Sequence, residues 1–146
     1  PIIKHPKING LSFTGSRETG KFIRENAGLK KVNLELGSKN AIIVMEDSNL
    51  KLALEGALWG AFGTTGQRCT AASRIIIHEK VFNKFESMFV NSAKKLKLGN
   101  GLSKTTDVGP LINKAALEKS YKYVDIGKQE GAKLLCGGEE ARRGYS

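Results

Sequence analysis

The chain has 146 residues, the usual size of one domain, and its 40% hydrophobic and 26% charged residues suit a packed core and argue against disorder. No apolar run approaches the length that spans a bilayer, and the opening PIIKHPKING lacks the apolar stretch of a secretion signal. The net charge of +10 raises nucleic-acid binding, but the basic residues are scattered, with no run of five like charges and no interleaving of arginine with aromatics, so a solvated lysine-rich surface is the better reading.

In chain order, Ile8 to Thr14 reads as a strand ending at Gly15. Ser16 then caps a helix from Arg17 to about Ala27, closed by Gly28. Val32 to Leu36 is a short strand stopping at Gly37, and the apolar run Ala41 to Met45 is a buried strand. Asp47 or Ser48 caps a helix from Leu50 to Phe62, whose Leu50, Leu54, Ala57, Leu58 and Ala61 recur at helical spacing. Gly63 to Cys69 breaks that pattern as a tight loop. Arg74 to His78 is a β-branched strand, Lys80 to Leu98 an amphipathic helix stopped by Gly99-Asn100-Gly101, and Asn113 to Gly131 another helix. Ala132 to Cys136 reads as a last strand before a charged tail, Glu139 to Ser146. Strands and helices alternate, which predicts an α/β arrangement with parallel pairing and a boundary near Gly37.

Three segments carry candidate chemistry. Gly15 to Lys21 nearly matches a phosphate-binding P-loop but has Phe22 where Ser or Thr would hold magnesium; a strand–glycine–helix turn still brings bare backbone to a ligand, and the alternative is an ordinary turn. Cys69 is either a small core hydrophobe or a nucleophile; Arg68 beside it and Arg74 close behind would favour its thiolate. Cys136, in an apolar strand, reads as structural. Glu35, between Leu34 and Leu36, either faces solvent from an edge strand or is partly buried with a raised pKa suited to a general base. His5 and His78 have no metal-ligand spacing, so no metal is assigned. Two cysteines make no disulfide framework, and a reduced, cytoplasmic setting is expected; the chain opens on Pro1 and reads as cut from something longer.

Taken in order, Ser12-Phe13-Thr14-Gly15-Ser16, Leu34-Glu35-Leu36-Gly37 and Gly66-Gln67-Arg68-Cys69-Thr70 resemble the aldehyde dehydrogenase superfamily, as do Asn40-Ala41-Ile42-Ile43-Val44 and Asp107-Val108-Gly109-Pro110-Leu111-Ile112. The resemblance covers nearly the whole chain. It implies an α/β fragment of that fold, with residues 1–36 as the end of the Rossmann-like cofactor domain and 37–146 as the first part of the catalytic domain. It implies Cys69 as nucleophile and Glu35 as the base that activates water. Gly15, Ser16 and Gly20 match the turn and helix that approach the dinucleotide, and Leu36 and Gly37 the segment near the nicotinamide. Ser38 stands where the family has a second glycine.

The implied reaction is oxidation of an aldehyde to an acid with NAD or NADP, through a thioester on Cys69 that Glu35 helps hydrolyse. The wording around the cysteine is similar to branches that oxidise semialdehydes. Implied partners are a small aldehyde and further copies of a longer parent, as a homodimer or homotetramer, with no nucleic acid and no membrane. Family members are far longer, so residues 1–146 alone are expected to be inactive. The rival from another class is a non-catalytic interaction module that retains the family sequence.

Overall fold

The structure is a computed structural model that describes residues 2–139. Its contacts divide the chain into two compact units, Pro1–Ser38 and Lys39–Ser146.

The first unit is a β-α-β turn of chain: β1 (Gly10–Gly15), α1 (Arg17–Asn26) and β2 (Lys31–Leu36). The strands pair in parallel, from Gly10 opposite Lys31 to Gly15 opposite Leu36. The helical crossover is what parallel pairing requires. Leu11, Phe13, Val32, Leu34 and Leu36 alternate inward, and Gly20 and Ile23 of α1 and its C-cap residue Ala27 are buried. Contact is close enough that a methyl group at Gly20 would sit 2.6 Å from Leu36 Cδ2. Ser16 caps α1 as expected, accepting the Thr19 N–H at 3.1 Å.

The second unit repeats the plan with β3 (Asn40–Val44), α2 (Leu50–Phe62) and β4 (Ala72–Ile77), then adds α3 (Glu79–Ala93) and α4 (Lys114–Gln129). β3 and β4 are parallel, with Asn40 opposite Ala72, a register shift, and then Ala41 opposite Arg74 through Val44 opposite Ile77. Alternation sends Ile42, Val44, Ile75 and Ile77 to one face, where Ala57 and Leu54 of α2 and Phe85 and Phe89 of α3 close the core. Phe85 and Ala57 are fully buried. On the opposite face Ile43 and Ile76 remain exposed.

Four expectations are corrected. The cap of α2 is Asn49, which accepts the Lys51 and Leu52 N–H groups at 3.1 and 3.3 Å; Ser48 instead donates to the Met45 carbonyl, so neither it nor Asp47 reaches the helix. His78 leaves the strand and caps α3. That helix ends at Ala93, short of Leu98, because the Asp107 carboxylate takes the Lys97 N–H at 2.8 Å and the Lys97 carbonyl accepts from Asp107 and Val108. Leu98 then forms an isolated bridge with Val108. Residues 132–136 form no strand: Gly131, at φ +87°, turns the chain out of α4, Ala132 donates back to the Gly127 carbonyl, and among the described residues no strand lies alongside to pair with them. Of the charged tail, residues 140–146 lie outside the described residues. No described helix is long and apolar enough to cross a membrane.

Candidate active site

In the first unit the sites expected for a dinucleotide come together at the carboxyl ends of the two strands. Gly15 and Leu36 are paired opposite one another, Ser16 opens α1 directly after Gly15, Gly20 packs on Leu36, and Gly37 follows β2. Carboxyl ends of parallel strands are where α/β folds bind ligands. The segment Gly15 to Thr19 is exposed, so the N-terminal turn of α1 is open to an anion. A Cβ at Gly15 would lie 2.5 Å from the Phe13 ring. A side chain there would have to displace the Phe13 ring. Among the described residues nothing stands within 4 Å of the position a Gly37 Cβ would take. Backbone at Ser38 has no positive φ, so serine bears no strain in place of a second glycine.

The P-loop reading does not survive. Gly20 and Lys21 lie inside α1, which already begins at Arg17, whereas in a P-loop the residues before the Gly-Lys pair form the loop around the phosphates and that pair opens the helix. Glu35, opposite Thr14 in the ladder, is exposed; of the two readings left open by sequence, the solvent-facing one holds in this chain.

Cys69 belongs to the second unit, in the connection between α2 and β4, and is exposed. A single turn, Gly63–Gly66, follows α2. It is built from unusual backbone: Thr64 and Thr65 sit at φ 53° and 57°, and Gly66 at φ 68°. Left-handed conformation at two consecutive β-branched residues is disfavoured sterically and persists only when the surroundings impose it. Those surroundings are visible. Gln67 donates through Nε2 to Thr65 Oγ1 and accepts the Ile112 N–H at Oε1, 3.1 Å away, so one side chain ties the turn to the segment before α4. After the turn, Ala71 donates its N–H to the Arg68 carbonyl at 3.1 Å. Asn40, the first residue of β3, donates through Nδ2 to the Cys69 carbonyl at 2.8 Å.

The two arginines next to this loop each have a carbonyl partner. Arg68 donates to the Trp59 carbonyl at 3.1 Å and lays its guanidinium 5.1 Å from the centre of the Trp59 ring, and its Nε is buried without a hydrogen-bond partner. Arg74 donates through both Nε and Nη2 to the Lys39 carbonyl. Both guanidiniums are thus engaged by carbonyl oxygens. Cys136 is half-buried. Among the described residues no group of three or more His, Cys, Asp or Glu side chains converges to hold a metal.

Sequence reasoning singled out Cys69, Glu35 and the glycines but missed the side chains that shape the cysteine loop: Asn40, Gln67 and Trp59. The available signal was an asparagine opening an otherwise apolar strand, where a polar side chain needs a partner.

The residues from 1 to 146 match the family model described as "Aldehyde dehydrogenase family". Retinaldehyde dehydrogenase 3 of Mus musculus is 46% identical over 140 residues, which are 94% of this chain and 27% of that protein. The alpha-ketoglutaric semialdehyde dehydrogenase of Bacillus subtilis is 38% identical over 145 residues, 98% of this chain and 30% of that protein. A crystal structure of betaine aldehyde dehydrogenase from Staphylococcus aureus in complex with NAD+ superposes with a TM-score of 0.93 at 39% identity, over 97% of this chain and 28% of that one. The chain therefore spans less than a third of the length of the relatives it matches, and its mixed helices and strands are part of their α/β, Rossmann-like fold. By sequence and by fold, the chain belongs to the aldehyde dehydrogenase family.

Proposed function

We propose that this chain supplies the nucleophile and the water-activating base of an NAD(P)-dependent aldehyde dehydrogenase that converts a small aldehyde to a carboxylic acid. The observation that supports this most is Cys69 itself, exposed shortly after a turn held in left-handed backbone. Strained backbone held by specific side chains clusters at reactive sites.

In this reading residues 1–36 finish the cofactor domain and 37–146 begin the catalytic domain. The Cys69 thiolate attacks the aldehyde carbon, and the oxygen becomes an alkoxide. The Cys69 N–H is a donor for that oxyanion. The Arg68 carbonyl of the same trans peptide accepts the Ala71 N–H, so the Cys69 N–H points away from that bond. Bound NAD(P) would supply the hydride acceptor that takes the tetrahedral adduct to a thioester. The exposed turn at Gly15 and Ser16, the start of α1, and the room beside Gly37 suit its pyrophosphate and nicotinamide ends. Glu35 accepts a proton from water, whose oxygen attacks the thioester carbon; the C–S bond breaks and releases the carboxylic acid and the Cys69 thiolate.

A semialdehyde is the substrate class favoured by the residues around Cys69, and two relatives are named for semialdehydes: the Bacillus subtilis protein and the 5-carboxymethyl-2-hydroxymuconate semialdehyde dehydrogenase of Escherichia coli. The parent acts as a homodimer or homotetramer in the cytoplasm. Residues 1–146 alone do not turn over, since the matched relatives extend over three times this length. The test is aldehyde-dependent NADH or NADPH formation by the full-length protein, with Cys69→Ser beside it. Loss of turnover of at least about a thousandfold is expected for a nucleophile. Near-normal turnover in that variant would remove Cys69 from the chemistry.

A further inference from the structure

Cys69 lies between two peptide groups, and each is held from outside. The carbonyl of the first, on Arg68, accepts the Ala71 N–H at 3.1 Å. The carbonyl of the second, on Cys69 itself, accepts Asn40 Nδ2 at 2.8 Å, and the same nitrogen lies 3.4 Å from the Ala71 carbonyl. The first restraint is local. The second comes from a residue 29 positions earlier, on the first rung of β3, opposite Ala72 and at the register shift.

We propose that Asn40 is a positioning residue for the Cys69 nucleophile, fixing the plane of the peptide that follows the cysteine and, with it, the direction in which the thiol leaves the backbone. The proposal rests on the reading of Cys69 as nucleophile. The turn upstream is the reason an anchor is needed. Thr64 and Thr65 are held in disfavoured backbone and relax toward commoner conformations when released. Gln67 restrains that turn before the cysteine, and Asn40 restrains the chain at and after it. A strand end is a rigid base for such a restraint, and a carboxamide is the fitting group: it donates through nitrogen, whereas an isosteric carboxylate accepts only. An error of about 1 Å in the placement of a reacting atom costs up to about 100-fold in rate.

The experiment compares the full-length protein with its Asn40→Ala, Asn40→Asp and Asn40→Ser variants, using propanal and NAD+ as probes. Intact sites are counted by iodoacetamide labelling of Cys69, located by mass spectrometry. The expected result is a fall in kcat per labelled thiol of about tenfold in the Ala and Asp variants, with KM for both probes within about twofold of the parent. A merely structural role would lower the number of labelled sites or the unfolding midpoint and leave kcat per thiol unchanged, which would overturn the proposal. Should Ala and Asp fail to fold, Asn40→Ser decides by the same comparison, because its hydroxyl is too short to reach the Cys69 carbonyl. Cys69→Ser separates the two ideas: full turnover there sinks the nucleophile, while an inert Cys69→Ser with unaltered Asn40 variants sinks the positioning role alone.

Discussion

At Gly66 a methyl group would stand 2.8 Å from the Ala61 carbonyl oxygen, on backbone already at φ +68°. Gly66→Ala is therefore expected to cost about 1–3 kcal/mol, read as a lower urea midpoint with an unchanged slope. Glu35 makes a different prediction. If it only activates water, Glu35→Gln keeps the first step and loses the second, so rapid mixing shows a burst of about one NADH per site and then little steady turnover. A steady rate equal to the parent's would clear Glu35 of that role. At this scale the settings of Cys69 and Glu35 stood out in the sequence, a cysteine behind two glycines and a glutamate between two leucines, but both readings of each stayed open there and the roles of nucleophile and base came only from the family resemblance. The partners of Arg68 and Arg74 were not legible. Where a long side chain goes depends on which carbonyl the fold brings near it, and Trp59 and Lys39 come near only through the path of α2 and the shifted register of β3 on β4.

Among the elements, those with an apolar run or alternation bounded by turn residues were legible close to their observed bounds. β2 and α2 are examples: the run Leu50–Phe62 repeats on one side, and it is the side that meets Val44 and Phe85. Phe85 is the centre of that contact, fully buried and stacked on Phe89 with ring centres 6.3 Å apart. Phe85→Ala is expected to destabilise the second unit by about 3–5 kcal/mol, seen as a large fall in thermal midpoint. A change below 1 kcal/mol would show that α3 is not what seals β3 and β4. The errors fell where long-range hydrogen bonds overrule local preference. Residues 94–98 continue the helical pattern, yet Asp107 captures the Lys97 N–H and ends the helix. Residues 132–136 have strand composition, yet a strand is completed only by a neighbour.

For the whole molecule, alternation of strand and helix was enough to predict parallel β-α-β units, since a parallel pair needs a crossover and α1 and α2 are those crossovers. What alternation does not reveal is which sheet faces are covered. Parallel sheets are normally buried on both sides, and here Ile43 and Ile76 are 65% and 53% exposed. The purified 146-residue chain is accordingly expected to form no NADH from aldehyde and to self-associate as its concentration rises, followed by analytical ultracentrifugation. A monomer at all concentrations, or measurable NADH, would contradict this.

The two threonines before the cysteine also set a direction for laboratory selection. Screens that reward survival of heating favour residues at ease in left-handed backbone, so glycine or asparagine at positions 64 and 65 should be recovered early. If the unease of that turn helps present the thiol, the hardiest clones will be the slowest enzymes, and reversion of these two positions alone should restore their speed.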